Sequence, residues 1–541
     1  MSGRRVPEHP FSMAQYLIRQ KWNTNRGLRI CAWVLGLAVL FAFYTLGIPE
    51  NPPGYYLDES ALSYNAYLVS QTGAGEFGPK FPLYFQVYTG GFTQWSNPTQ
   101  IYLLAILFRI FGPGILTARL FAAAFMFAAS LLLGLLARKI SGKNSIGIIV
   151  AAFALLTPWL FEVGRLVLET FFYPMATVLL LWAVYKASDK ISWSWLNVAA
   201  VALSLTLLTY SYTIGRLLGP LLGGGLILFA VNRERIRSVV KVWVLYALTL
   251  IPMLVYIRQN PDLTTRFYLL SYIKPESTYG EIAVNFVKKY LHDINPLTML
   301  QVGDTNPRHH LYGVFGSFFL AVFVLAVIGI VIIIVRHRRD SWWLYVIFGL
   351  FAAAVPGALT VDKFHTLRMI AYPIFLLMLT VPALMWLSEA KIPEASEEPE
   401  DLPETVEDET VAVPNHWRSA RGMALIALLA FGFAEAVYFH WNYYQEGGKR
   451  GYVFDEAYKP LYDEAVGQSL RPIYLVDAYW GPAYIHSFWY ATVEGRNTAE
   501  FIHQPYGVRP PHGVIVISTE QACTNCEMIR KNGDYLLYRT R

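Results

Sequence analysis

Charged residues are scarce in this chain of 541 residues: 15% are Asp, Glu, Lys or Arg, whereas 55% are hydrophobic. A soluble domain normally carries about 25% charged residues, so the composition excludes an ordinary soluble fold. The mean hydropathy of +0.36 indicates a protein that has lipid as its main solvent. The net charge of +6 comes from short basic runs between apolar segments, a pattern that sets membrane topology and does not form a nucleic-acid-binding face.

Cysteine is also rare, and three cysteines are too few for a disulfide framework. Cys31 lies in the first apolar segment, and Cys523 and Cys526 form a single CxxC near the end of the chain. One CxxC lacks the second pair of ligands that a structural zinc site needs. If that end of the chain is extracytoplasmic, a local disulfide can form there.

Long apolar segments are what the sequence has in abundance. A helix of roughly 20 apolar residues crosses a hydrocarbon core. The segments of about this length are 29–47, 115–137, 145–162, 169–186, 195–212, 215–231, 240–257, 313–335, 342–359, 369–388 and 421–440. The first is too long for a removed signal peptide and lacks a small-residue cleavage site, so it is an anchor. The sequence predicts an all-α polytopic membrane protein with about eleven transmembrane helices over residues 29–440.

Short loops rich in Lys and Arg mark the cytoplasmic side. The N-terminal residues 1–28 are basic and belong to this side. The four basic loops carry Arg138/Lys139/Lys143, Lys186/Lys190, Arg233/Arg235/Arg237 and Arg336/Arg338/Arg339. The other side then receives two large loops, 48–114 and 258–312, and the C-terminal residues 441–541. Residues 390–415 are rich in Pro and Glu without an apolar period, so they are predicted to form a disordered acidic cytoplasmic loop.

The C-terminal segment 441–541 differs in character from the apolar part. PIYLVD and GVIVIST are typical of buried strands, YIHSFWYATVEG between them is helix-like, and YLLYRT is a last strand. The order strand, helix, strand with short connections predicts a small extracytoplasmic α/β domain. No glycine-rich phosphate fingerprint occurs there, so nucleotide binding is unsupported.

Ionisable residues near a membrane interior are costly, so those beside the outward-facing ends of spans are candidate site residues. Asp58 and Glu59 follow the first span in GYYLDESALSYNAYLV. One interpretation is a helix start, with Asp58 as the N-cap and Glu59 in the first turn. The other is a general base with a second carboxylate, of which only one faces a given atom because adjacent helical side chains diverge by about 100°.

Three further candidates lie in the next outward-facing segments. Lys80 in GPKFPLYF is either an interfacial lysine that reaches the headgroups or a phosphate-binding cation. Arg165 and Glu169 stand four residues apart at the turn between the third and fourth spans. On a helix this spacing places both on one face, where they form an internal salt bridge unless they serve a reaction.

The long loop carries Arg266 in PDLTTRFYLL and Arg308 in GDTNPRHHLYG. His309 and His310 follow Arg308, but one histidine pair offers too few ligands to predict a metal site.

His365 and Arg368 lie in DKFHTLRMIAYP, on the turn before a late span. Arginines at these positions either contact lipid headgroups or bind a phosphate bidentately. Several cations and a carboxylate on one side of a helical bundle indicate a particular reaction: a carboxylate deprotonates a hydroxyl that attacks a phosphate-linked sugar, and the cations stabilise the leaving phosphate.

The motifs of the first half resemble those of a known group of enzymes. DES after the first span, KFPLYF, NPTQIYLLAILFRIFG and TARLFAAAFMFAASLLLGLLARKI resemble the GT-C superfamily of polyprenyl-phosphate-dependent glycosyltransferases. The pattern is most similar to the protein O-mannosyltransferase and aminoarabinose-transferase group. The resemblance covers residues 29 to about 390 and is strongest in 55–170.

The resemblance implies roles for individual residues. Asp58 corresponds to the catalytic base of the first extracytoplasmic loop, with Glu59 beside it. Lys80 matches the lysine of a Lys-Pro-Pro-Leu-Tyr element that approaches the donor phosphate, except that Phe81 replaces one proline. Arg165 with Glu169 matches an arginine followed by an acid, and Arg368 matches an arginine before a late span. Arg266, Arg308 and His365 complete the predicted donor-binding residues.

Two departures from the group concern the acceptor: about eleven spans instead of thirteen, and an unassigned α/β tail. The Trp-Trp-Asp motif of oligosaccharyltransferases is absent, since Trp342-Trp343 is followed by Leu344, so transfer of a whole oligosaccharide is disfavoured. The resemblance implies an inverting reaction that needs no metal or other cofactor. Its partners are a polyprenyl-phosphate-linked sugar, the membrane lipid and an acceptor protein, lipid or glycan.

Three interpretations of function follow from these features. The main one is an integral membrane glycosyltransferase that moves one sugar to an extracytoplasmic hydroxyl. A transporter or flippase is the first alternative, although the sequence has no internal repeat and no matching pair of broken spans. A non-catalytic relative is the second, and the intact Asp58 speaks against it. If the reaction occurs, Asp58, Glu169 and Lys80 are expected to share one cleft.

Overall fold

The computed structural model describes residues 26–88, 94–388, 420–477, 481–504, 507–519 and 525–541. The chain divides into two compact units, Met1–Gly47 and Ile48–Arg541. The predicted acidic loop 390–415, most of the N-terminal segment 1–28 and Cys523 lie outside the described residues. Cys526 is disulfide-bonded, and Cys31 is free and exposed.

The smaller unit contains helix α1 (Arg26–Tyr44) in its described part. The helix has no acidic residue in its first turn, and most of its side chains are exposed, including Trp33 at 71% and Phe43 at 69%. A helix that is apolar on all sides and exposed is the expected form of a lipid-facing anchor.

The larger unit is mainly helical, and all the predicted apolar spans that lie in it overlap observed helices. Its α-helices are α2 (Leu57–Thr72), α3 (Pro98–Phe111), α4 (Ile115–Ser141), α5 (Asn144–Leu156), α6 (Pro158–Val163), α7 (Tyr173–Ser188), α8 (Trp195–Ser211), α9 (Gly215–Gly225), α10 (Arg233–Gln259), α11 (Thr265–Leu270), α12 (Tyr279–Asp293), α13 (Leu320–Arg336), α14 (Ser341–Ala358), α15 (Tyr372–Ser388), α16 (Ala420–Glu446), α17 (Tyr458–Gly467) and α18 (Tyr484–Val493). Five helices of the described part are long and apolar enough to cross a membrane, and six shorter ones are apolar.

The predicted loop 48–114 holds two of these helices. α3 is apolar but only 14 residues long, so it falls below the length that marks a span in the sequence. It begins with Pro98 at its first position, where the missing N–H costs nothing, and it ends before Gly112, whose φ is +80°. The predicted loop 258–312 likewise contains α11 and α12.

Close helix contacts in the apolar part depend on small residues. A Cβ on Gly134 of α4 would lie 2.5 Å from the carbonyl oxygen of Gly147 on α5. Only glycine permits the two backbones to approach this closely, as is common between membrane helices.

The C-terminal part has a mixed sheet of five strands. Its strands are β3 (Ile473–Val476), β4 (Phe501–Gln504), β5 (Ile515–Thr519), β6 (Cys526–Asn532) and β7 (Tyr535–Thr540). Their order is β4-β3-β5-β7-β6, with β3 parallel to both neighbours and β7 antiparallel to β5 and β6. The predicted α/β region is confirmed, although β4 and β6 were not predicted. A short antiparallel pair, β1 (Phe85–Gln86) and β2 (Trp95–Ser96), lies in the first loop.

Candidate active site

Asp58 lies in the first turn of α2 and is half-buried. The chain enters this helix from Tyr56 in an extended conformation, with φ of −64° and ψ of 155°. The hydroxyl of Tyr88 donates a hydrogen bond of 2.7 Å to Asp58 Oδ1. Asp58 therefore presents a carboxylate that Tyr88 orients, as a general base requires.

The environment of Glu59 differs from that of Asp58. Its carboxylate is fully buried, and Arg119 Nη2 lies 3.0 Å from its Oε2. The backbone N–H groups of Tyr56 and Val167 also donate to this carboxylate, each at 3.0 Å. Glu59 does not line the cleft that Asp58 borders. The structure therefore places Glu59, predicted as a donor-binding residue, in an ion pair and two amide hydrogen bonds outside the cleft wall.

The cleft beside Asp58 consists of two adjoining cavities of about 60 and 470 Å³. The residues that line both are Asp58, Gln94, Leu168, Tyr212 and Leu367. Of the predicted site residues, those in the cleft wall are Asp58, Glu169, Arg308, His365 and Arg368. Four separate chain segments thus converge on one cleft, as expected if their charged groups act on one substrate.

Glu169 reaches the smaller cavity from a turn and not from a helix. α6 ends at Val163 and α7 begins at Tyr173, so residues 165 and 169 do not share a helical face, and that prediction was wrong. Asn97 instead holds the carboxylate of Glu169, through its backbone N–H at 2.7 Å and its Nδ2 at 3.1 Å.

Arg165 lies away from the cleft wall. It is 1% exposed, and its guanidinium carbon is 4.2 Å from the centroid of the Phe161 ring. Its Nη1 donates to the carbonyl oxygen of Asn51 at 3.3 Å. These contacts fix the segment that precedes α2, so the geometry gives Arg165 a structural position, distinct from the donor-binding role that the resemblance implied.

Two arginines bring positive charge to the larger cavity. The guanidinium of Arg308 lies over the ring of Tyr56, 3.8 Å from its centroid. Its buried Nε has no hydrogen-bond partner among the described residues. Arg368 is 8% exposed and forms an ion pair with Asp362, which is itself half exposed. Both arginines line this cavity, and a guanidinium is a side chain that can bind a phosphate bidentately.

A cluster of Asp304, His309 and His365 adjoins the same cavity, with ligand atoms within 4.8 Å of one another. Asp304 Oδ2 accepts hydrogen bonds from the N–H and Oγ1 of Thr366 and lies 3.2 Å from His309 Nδ1. Burial and the neighbouring His309 lower the pKa of His365 well below its ordinary value, and burial lowers that of His309. Both imidazoles are therefore neutral near pH 7, and Arg308 and Arg368 supply the cationic charge.

Lys80 is a further predicted residue that, like Glu59 and Arg165, does not line the cleft. Lys80 is exposed, in an isolated bridge with Ala74, and lies outside the residues that line either cavity. The expectation that Lys80 shares the cleft with Asp58 and Glu169 was therefore wrong for Lys80. Arg266 lies in α11, and its side chain is outside the described set, although Phe267 and Leu270 of α11 line the larger cavity.

The sequence prediction did not identify Tyr88, Asn97 or Arg119. Arg119 had a usable signal, since it is the one charged residue in the run ILTARLFAAAFMFAAS. A charge inside an apolar span needs a buried partner, and that rule points to an acid elsewhere in the protein. Tyr88 and Asn97 offered no comparable signal, because a tyrosine near the interface and an asparagine before a helix are common for other reasons.

A model of the family described as dolichyl-phosphate-mannose-protein mannosyltransferase matches residues 96–257. The matched part contains Glu169 and ends before Arg308 and Arg368. None of the curated protein sequences matches the chain.

Two solved structures share the architecture over nearly the whole chain. The crystal structure of ArnT from Cupriavidus metallidurans in the apo state has a TM-score of 0.58 at 11% sequence identity, covering 94% of this chain and 98% of that one. The structure of ArnT from the same organism bound to undecaprenyl phosphate has a TM-score of 0.57 at 9% identity, with the same coverage. At these identities the likeness concerns the fold.

Proposed function

We propose that this chain, which has the fold of the GT-C membrane glycosyltransferases, transfers a single sugar from a polyprenyl monophosphate to a hydroxyl group. The acceptor is a protein, a lipid or a glycan on the extracytoplasmic side. The observation that carries the proposal is that Asp58, Arg308 and Arg368, from three separate segments, border the same cleft. The match to a mannosyltransferase family model and the likeness to a structure that holds undecaprenyl phosphate support it.

The chemistry follows from the positions of these groups. Asp58 accepts the proton of the acceptor hydroxyl as its oxygen attacks the anomeric carbon. The bond between that carbon and the phosphate oxygen breaks, and the phosphate leaves with the electron pair as polyprenyl phosphate. Arg308 and Arg368 stabilise the charge that develops on the phosphate. Attack from the face opposite the leaving group inverts the anomeric centre, and Asp58 then releases its proton to water.

The larger cavity has a size that agrees with this assignment. Its volume of about 470 Å³ lies within the roughly 300–1,000 Å³ of small-ligand sites. Apolar side chains, among them Ile214, Leu217 and Leu359, line it together with the arginines. A sugar phosphate followed by an isoprenoid tail has this combination of polar and apolar surface.

The test is transfer by the purified protein in liposomes that contain short-chain polyprenyl-phosphate mannose or another hexose, with a Ser/Thr peptide, a membrane lipid extract and an oligosaccharide supplied in turn as the hydroxyl acceptor. We expect release of polyprenyl phosphate with the wild type and none above background with Asp58→Asn. Asp262→Asn, the same chemical change at an exposed position, is the matched control. Movement of intact donor across the bilayer by wild type and Asp58→Asn alike, without release of the phosphate, would contradict the proposal and favour a flippase.

A further inference from the structure

The C-terminal part of the chain contacts the start of α2, the helix that carries Asp58. Gly54, at φ +65°, lies so close to the backbone of residues 454–456 that a Cβ there would be 2.3 Å from the carbonyl oxygen of Phe454. Further along, Gly481 lies beside Leu57, and Pro482 lines the larger cavity. The tail therefore forms part of the wall of the site.

Asp455 makes the most specific of these contacts. Its Oδ2 accepts a hydrogen bond of 3.1 Å from the backbone N–H of Leu57, the first residue of α2. Its other oxygen, Oδ1, accepts a bond of 2.8 Å from the hydroxyl of Tyr535. Asp455 has a φ of +52°, which is uncommon for a residue other than glycine and brings its side chain to this helix end.

His486 joins the same two elements at a second point. Its Nε2 lies 3.3 Å from Asp455 Oδ2, and its Nδ1 lies 2.9 Å from the hydroxyl of Ser60 in the first turn of α2. His486 is fully buried. Although burial by itself raises the pKa of Asp455, the contact with His486 holds this pKa below its usual value.

The first N–H groups of a helix have no partner within the helix and must be satisfied from outside. At the start of α2, Glu59 accepts from Tyr56 N–H, and Asp455 accepts from Leu57 N–H. Asp58 directly follows the two residues, Tyr56 and Leu57, whose N–H groups donate to these carboxylates. A loss of the cap would let the first turn fray and would move the base.

We propose that Asp455 is a positioning residue for Asp58: the C-terminal part caps the helix that presents the base and so takes part in catalysis without touching substrate. The inference rests on the proposed function, because it assigns the base to Asp58. A misplacement of about 1 Å can cost about 100-fold in rate. We expect an effect of about 10- to 100-fold on kcat, with little change in the KM for the donor.

Two variants separate the cap from the backbone of residue 455. Asp455→Gly removes the carboxylate and is favoured at positive φ, so the tail keeps its conformation. Asp455→Asn also tolerates this φ and retains an oxygen that accepts from Leu57 N–H. We expect Asp455→Gly to lose about 10- to 100-fold in kcat while Asp455→Asn stays within about 3-fold of wild type. Asp463→Asn, at the tail surface, controls for the loss of a charge.

Hydrogen–deuterium exchange of residues 57–60 supplies a readout that needs no substrate. Asp455→Gly is expected to exchange faster in this turn than Asp455→Asn, with the sheet of the tail unchanged. Equal kcat in both variants, or equal exchange in the first turn, would overturn the inference. Parallel losses of kcat and of sheet protection in both variants would overturn it too, since they indicate a general structural role. Absence of transfer by the wild type would instead refute the proposed function.

Discussion

Two sets of charged residues lie close together in this protein and differ in their partners. Glu59 and Arg119 form a fully buried ion pair that lines neither cavity of the cleft. Asp58, one residue away, faces a cleft that Arg308 and Arg368 also border. Because neighbouring helical side chains diverge by about 100°, one residue of the Asp-Glu pair stabilises the fold while the other is free to act on a substrate.

The largest effect is expected for the residue that faces the cleft. Asp58→Asn should lower kcat by about 10²–10⁴-fold, the usual contribution of a positioned general base. The thermal midpoint should change little, because the amide still accepts from Tyr88 and remains at a helix N-terminus. Single-turnover transfer and a melting curve on the same preparation measure both quantities. A loss of activity that merely follows a loss of folded protein would put Asp58 in the same class as Glu59.

The buried pair should show the opposite pattern. Arg119→Leu leaves the carboxylate of Glu59 buried without its cation, and breaking a buried pair in this way costs about 3–5 kcal/mol. We expect a strong loss of thermal stability. The double variant Glu59→Gln with Arg119→Leu should recover part of it, because no uncompensated charge remains. An unchanged midpoint in Arg119→Leu would show that the pair contributes nothing.

A smaller effect is expected for Arg368, one of the two arginines that line the larger cavity. Arg368→Ala should weaken binding of a polyprenyl phosphate by about 10- to 100-fold, since a hydrogen bond to a charged group contributes about 1.5–3 kcal/mol. Lys80→Ala, which also removes a cation, should stay within about 2-fold because Lys80 is exposed and outside the cleft. Binding is measured with a fluorescent polyprenyl phosphate in detergent. Equal losses in the two variants would restore Lys80 to the donor site and contradict the present geometry.

Composition and the long apolar segments were sufficient to predict the membrane fold, because an uninterrupted stretch of about 20 apolar residues is typical of a transmembrane helix. They also marked Asp58 and Arg368 as candidates, because both stand beside spans where charge is costly, and both residues line the larger cavity. The spacing of Arg165 and Glu169 led to a wrong prediction, because residues four apart share a face on a helix but not on the turn where these two lie. The helix α3 was missed because its 14 residues fall below the length that marks a span. The strand β4 was missed because its sequence FIHQ lacks the apolar run that marked β3.

The sequence did not predict that the C-terminal part of the chain contributes to the site. Asp455 lies nearly 400 residues after Leu57, and no local pattern links them. A second contact of this kind joins the first loop to the tail: the hydroxyl of Tyr484 donates to Glu76 Oε1 at 2.6 Å. Burial raises the pKa of Glu76 to about 7, above its ordinary value of 4.5.

The smallest expected effect concerns this contact, and its sign follows from linkage. Because Glu76 has a higher pKa in the folded chain than in the unfolded chain, its protonation stabilises the fold. That contribution is fully present below about pH 4.5 and is lost as the pH rises through about 7.

Glu76→Gln, which is neutral at every pH, should therefore match wild type at pH 4.5 and be more stable at pH 8. The difference in melting temperature should be no more than about 2–4 °C. Melting curves at several pH values test this, with Glu276→Gln, at an exposed acid before α12, as the control. Parallel curves for wild type and Glu76→Gln would mean that Glu76 titrates normally, so that the first loop and the tail meet through packing and the Tyr484 hydrogen bond without a buried proton.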